Sequence, residues 1–131
     1  FKIKVGEYLL TGRIDRVDSL PNNSLHIIDY KTGKPKEKLT SEDKEQLLLY
    51  QMVAEKLTEY RNLGPVGKLS FYYLTNNQAV DFVAEPEDLV ELQSKIITLI
   101  DRIQARDFTA TPDKIKCEYC PFRSICEFRA A

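Results

Sequence analysis

No stretch of about 18 apolar residues occurs in this chain, which excludes a membrane-spanning helix. A basic segment followed by an apolar block is also missing at the amino end, so no secretory signal is expected. Cysteine is scarce: three residues, an odd number gathered at one end, do not make a secreted disulfide framework. A reducing, cytoplasmic setting is therefore expected. Charge of one sign is lacking too. The net charge of −1 gives no global attraction to nucleic acid. Neither repeats nor low-complexity segments are present. What remains is an ordinary globular composition, 43% apolar and 30% charged over 131 residues, enough for one domain with a real core. The chain starts at Phe1 without methionine and reads straight into a strand pattern, so it is expected to be a carboxy-terminal piece of a longer polypeptide.

Apolar and charged residues alternate from Phe1 to Val5, a strand period. Tyr8–Val17 reads as a second strand and Ser24–Tyr30 as a third, with Pro21-Asn22-Asn23 in the turn between them. Thr40 or Ser41 is a good N-cap, with Glu42 and Asp43 in the first turn. That helix is expected to reach about Tyr60, with Leu47, Tyr50, Ala54 and Leu57 on one stripe. Lys68–Thr75 and Ala79–Ala84 read as a hairpin about Asn76-Asn77. Pro86 opens a second long helix to about Arg106, with Leu89, Leu92, Ile96, Leu99, Ile100 and Ile103 as core positions. The order predicts an α/β domain with a mixed sheet flanked by helices. Its core spans residues 1–110, and a cysteine-bearing tail follows over 111–131.

The chemistry concentrates where two strands end in acid. Asp15 precedes Asp29 by fourteen residues, about right for an antiparallel pair that sets the two carboxylates facing each other. Side chains alternate along a strand, so Asp29 and Lys31 share a face, while His26, Ile28 and Tyr30 take the other. The single histidine is therefore not expected to ligate a metal held by Asp29. Asp18 should point elsewhere or lie in the turn. Two carboxylates suit a hard cation such as Mg²⁺ or Mn²⁺, which also takes waters and substrate phosphate. Such an ion activates water and offsets charge in phosphodiester cleavage. Lys31 can steady the attacking hydroxide or a phosphate oxygen, and Gln46, one turn before Tyr50, can reach back to the lysine. Taken alone, Asp15 reads equally as a surface acid paired with Arg13 or Arg16.

Lys31, Lys34, Lys36 and Lys38, against a lone Glu37, make a basic loop after the acidic strand. A solvated loop is the plain reading; proximity to the acids makes Lys34, Lys36 and Lys38 candidates for DNA phosphate contacts. At the other end, Cys117-x-x-Cys120 and then Cys126 have a metal-like spacing. Three thiolates are one short of a tetrahedral zinc site or a cubane iron–sulfur cluster.

Gly12-x-x-Asp15-Arg16, Asp29-Tyr30-Lys31 and Gln46-x-x-x-Tyr50 together resemble the RecB-type branch of the PD-(D/E)XK nuclease superfamily. The resemblance runs from about Leu10 to Cys126. It implies a restriction-endonuclease-like fold, Asp15 and Asp29 as ligands of Mg²⁺ or Mn²⁺, Lys31 as the catalytic lysine, and Gln46 and Tyr50 as a supporting motif. A further ligand, a histidine or acid, would come from an upstream helix outside this chain. The cysteine spacing is similar to the carboxy-terminal half of the iron–sulfur staple in AddB-like proteins and related CRISPR-associated nucleases. That favours a 4Fe–4S cluster over zinc at Cys117, Cys120 and Cys126, its fourth cysteine lying upstream. The resemblance thus implies a metal-dependent DNA nuclease acting on single strands or ends. It would be the module of a helicase–nuclease in DNA repair, with a helicase as partner. A free-standing or CRISPR-associated exonuclease, a catalytically retired DNA-binding or scaffold fold, and a small metal-staple module remain as alternatives.

Overall fold

Lys2-Ile3-Lys4-Val5 buries both apolar side chains and leaves both lysines in water, which makes β1 (Lys2–Val5) one half of a hairpin with β2 (Tyr8–Thr11). The computed structural model describes residues 1–36 and 38–130; Glu37 and Ala131 lie outside the described residues. The chain divides into two compact units, Phe1–Thr98 and Leu99–Ala131.

In the first unit, β3 (Arg16–Ser19), β4 (Leu25–Lys31), β5 (Val66–Tyr73) and β6 (Gln78–Phe82) form one mixed sheet in the order β3-β4-β5-β6. Only the β4–β5 pairing is parallel. Parallel neighbours need a long crossover, and α1 (Ser41–Lys56) with the short α2 (Thr58–Arg61) supplies it. β4 is central, and Leu25, Ile27, Ile28 and Asp29 are all buried in it. The core joins Leu25 and Ile27 to Leu47 and Val53 of α1, to Leu69 and Phe71 of β5, and to Val5 of the hairpin. Gly64, at φ 129°, has no room for a side chain: a Cβ there would lie 2.0 Å from the Asn23 carbonyl oxygen.

The structure departs from the sequence expectations in three places. First, the strand expected over Tyr8–Val17 is two strands in two different sheets. The chain leaves the β1 ladder at Gly12 and joins β4 only from Arg16, with the Asp15 side chain taking a hydrogen bond that a ladder carbonyl would otherwise accept. Second, the helix expected to reach Tyr60 breaks at Leu57, which adopts extended backbone (φ −84°, ψ 124°). Third, Leu99 and Ile103, expected in the core, are exposed. They lie in the last turns of α3 (Pro86–Gln104), within the second unit, where no described residue is buried. So short a segment has too little interior to cover them.

Thr40 is the N-cap of α1, and the cap is reciprocal. Its hydroxyl accepts from the Asp43 amide (3.2 Å), and the Asp43 carboxylate accepts from the Thr40 amide (2.9 Å). Lys36 pairs with the same carboxylate. Chiefly through Lys36, and then through Thr40, the Asp43 carboxyl is lowered from 3.8 to about 2. A depressed pKa stabilises the fold above the unfolded-state value, and that contribution disappears as pH falls through the folded one. Thermal melts should therefore show a loss of stability between pH 3.8 and about 2 that Asp43→Asn makes shallower. An identical acid limb in both proteins would contradict this role for the cap.

Candidate active site

The β3–β4 register pairs Arg16 with Ile28 and Val17 with Ile27. Continued by one residue, it sets Asp15 opposite Asp29. There the Asp15 Oδ2 accepts the Tyr30 backbone N–H at 3.0 Å, so its carboxylate meets the peptide that joins Asp29 to Tyr30. Asp29 is 2% exposed, on the face of β4 that packs against α1. Lys31, two residues on, follows it on that face.

The Lys31 ammonium lies 2.8 Å from Asp29 Oδ2. That contact is an ion pair by distance but lacks hydrogen-bond geometry, and Oδ2 remains buried with no donor. Lys31 Nζ instead donates to Gln46 Oε1 at 2.7 Å and stands 5.0 Å from the centre of the Phe71 ring. Gln46 Nε2 in turn donates to the Tyr50 hydroxyl at 3.1 Å. One helical turn separates Gln46 from Tyr50, which puts both on the side of α1 that reaches β4. Asp29, Lys31, Gln46 and Tyr50 thus form one connected row, and Asp15 adjoins its first member through the backbone.

A buried carboxylate is costly unless cations meet its charge, and Asp29 has one such partner, the Lys31 ammonium at 2.8 Å. With the Asp15 carboxylate on the Tyr30 amide that follows Asp29, this pair of carboxylates suits a hard divalent ion that keeps its remaining positions for water and phosphate. Among the described residues, no group of three or more His, Cys, Asp or Glu side chains is arranged to hold a metal. In the second unit, Cys117 lies in α4 (Lys114–Glu118), Cys120 just after it and Cys126 beyond, all three half-buried, reduced and not gathered into one site. The three-thiolate arrangement expected of the tail is not formed among the described residues.

A cleft of about 400 Å³ opens beside the row, lined by Lys31, Lys34, Lys36, Gln46, Phe71 and Tyr73 among others. Of the three lysines expected to meet phosphate, Lys34 and Lys36 line it, and Lys36 is already tied to Asp43. Lys38 is exposed on the loop. The loop is pinned at its base by Leu74 N–H donating to Lys31 O (2.9 Å) and Thr75 Oγ1 donating to Gly33 O (3.0 Å). Phe71 and Tyr73 escaped the sequence reading as site residues, although their two-residue spacing on β5 places them on the same face as Asp29 and Lys31.

The opposite sheet face takes the residues excluded above. Arg16 pairs with Asp18 (2.8 Å), not with Asp15, and donates to the Tyr30 hydroxyl (3.1 Å). Its hydrogen bond holds the Asp18 carboxyl below the usual range. His26 shares a 2.6 Å hydrogen bond with Ser70, whose hydroxyl donates to Asp81 (2.6 Å), and burial lowers the His26 pKa. His26 therefore belongs to a row across three strands of the sheet.

Comparison with known proteins gives the family of the chain. The PD-(D/E)XK nuclease superfamily profile matches residues 1–127. The chain belongs to that superfamily. A relative from Carboxydothermus hydrogenoformans, one of the subunits of its ATP-dependent helicase/deoxyribonuclease, is 36% identical over 104 residues. The match covers 73% of this chain but only 9% of that relative. The α/β core with its mixed sheet is therefore a PD-(D/E)XK fold, and no described helix is long and apolar enough to cross a membrane.

Proposed function

We propose that residues 1–131 form one nuclease domain that hydrolyses DNA phosphodiester bonds with Mg²⁺ or Mn²⁺. The observation that carries this reading is the buried Asp29 carboxylate, 2.8 Å from the Lys31 ammonium and next in the chain to the Tyr30 amide that Asp15 accepts. Asp15 and Asp29 would hold the ion, which when bound supplies an activated water and offsets charge on the phosphate. Lys31 has three N–H donors; Gln46 takes one, which aims the ammonium and leaves another for a phosphate oxygen. Gln46 is itself oriented, because donation of its amide to Tyr50 turns its carbonyl oxygen to the lysine. Lys34 and Lys38 supply further charge for the DNA backbone, at ends or on single strands.

The relative, named as part of a helicase/deoxyribonuclease, supports the proposal that this domain serves a helicase-linked nuclease in DNA repair and partners a helicase. A free-standing exonuclease is second. Cys117, Cys120 and Cys126 are proposed to join a ligand outside this chain in a structural 4Fe–4S cluster or zinc site; the support is their spacing.

The test is cleavage of linear and single-stranded DNA by the protein with Mg²⁺ or Mn²⁺, repeated with chelator and with Asp15→Ala. Metal-dependent cutting, lost in both controls, is the expected result. Cutting that survives chelation would refute the metal role, and DNA binding without cutting would favour a retired fold. Iron, sulfide and zinc analysis of the same preparation decides whether the cysteines bind metal.

A further inference from the structure

Two arms of the site converge on one aromatic ring that belongs to neither. Gly12, three residues before Asp15, faces Phe1 across the end of the β1–β2 hairpin. Gly12 N–H donates to Phe1 O (3.2 Å), and Phe1 N–H donates to Gly12 O (2.7 Å). The contact is tight enough that a Cβ on Gly12 would stand 2.5 Å from Cζ and 2.8 Å from Cε1 of the Phe1 ring. Any larger residue at position 12 must displace either the ring or the segment that leads into Asp15. The same ring meets Tyr50 edge to face, with centroids 6.2 Å apart and planes at 71°. Tyr50 is 8% exposed, and its hydroxyl holds the Gln46 amide that in turn holds Lys31.

We propose that Phe1 is a positioning residue that holds Tyr50 and, through it, aims the Gln46–Lys31 pair. The inference rests on the nuclease reading above and adds to it a determinant outside the acid, lysine and glutamine motifs. Its physical basis is directional. The Gln46 side chain has a donor end and an acceptor end, and only one orientation presents oxygen to the ammonium. A Tyr50 ring that is clamped keeps its hydroxyl where Nε2 must donate, so Oε1 remains on Lys31. Without the Phe1 ring, Tyr50 loses the contact that fixes its tilt, and the lysine loses its fixed aim.

Phe1→Ala should lower the single-turnover cleavage rate roughly tenfold while changing DNA affinity less than about twofold. In a Gln46→Ala background the same change should cost under about twofold, because the link through which it acts is already gone. A purely structural role would instead give losses that multiply. Multiplied losses, or a rate untouched by Phe1→Ala, overturn the proposal. If Phe1→Ala fails to fold, Phe1→Leu, which keeps apolar volume but removes the ring, takes its place in the same cycle. A readout independent of activity is the Gln46 side-chain amide resonance, which should shift in either variant; an unmoved resonance refutes the positioning role. If the wild-type protein does not cut, the resonance, which is independent of activity, decides the coupling on its own.

Discussion

Asp29→Ala is expected to abolish metal-dependent cleavage and, in the same protein, to erase the thermal stabilisation that divalent ions give. A bound divalent ion contributes several kcal/mol of transition-state stabilisation. At about 1.4 kcal/mol per decade, its loss implies a rate lower by roughly a thousandfold or more. The second effect follows from the burial of the Asp29 carboxylate, whose only cationic partner among the described residues is the Lys31 ammonium. A cation that completes its surroundings binds the folded chain and not the unfolded one. At a hundred times its dissociation constant it should stabilise the wild type by about 2.7 kcal/mol. Melting curves with and without Mg²⁺ or Mn²⁺ should separate for the wild type and coincide for Asp29→Ala. If the variant gained the same shift, the ion would be held elsewhere and the site assignment would fail.

Lys31→Ala should lower turnover by roughly a hundredfold or more while DNA affinity stays nearly constant. A preorganised charge at the reacting phosphate typically contributes on that scale, whereas one lysine among several backbone contacts adds little to binding. Lys34→Ala should behave in the opposite way, weakening affinity and reducing the salt slope by about one with little change in single-turnover rate. Lys34 lines the cleft, whereas Lys31 makes the contacts to Asp29 and Gln46. The two variants thus test whether the acid-lysine strand and the loop after it have separate duties. A large affinity loss in Lys31→Ala with unchanged single-turnover cleavage would reverse the assignment.

The resemblance to the RecB-type branch was carried by local patterns, and those patterns survive in three dimensions for a simple reason. Strand alternation fixes that Asp29 and Lys31 share a face, and helical spacing fixes that Gln46 and Tyr50 share another, whatever lies between them. Their meeting at 2.7 Å needed the parallel β4–β5 crossover, which local periodicity does not encode. The continuous strand expected over Tyr8–Val17 failed because apolar alternation carries through Gly12 and Ile14 without marking a change of partner. Only the Phe1 ring against Gly12, and the Asp15 carboxylate in place of a ladder carbonyl, show where the chain changes sheets.

By itself the sequence determined the residue types of the site, their order, the faces they occupy and the superfamily to which they belong, because each is written within a few consecutive residues. Tertiary structure alone decided that Asp29 is buried beside the Lys31 ammonium, that Lys36 is committed to Asp43, and that Phe1 touches the row at Tyr50. It also decided that Leu99 and Ile103 of α3 are exposed. Depth of burial and choice of partner arise from residues distant in sequence packing together, and periodicity records only the direction in which a side chain points.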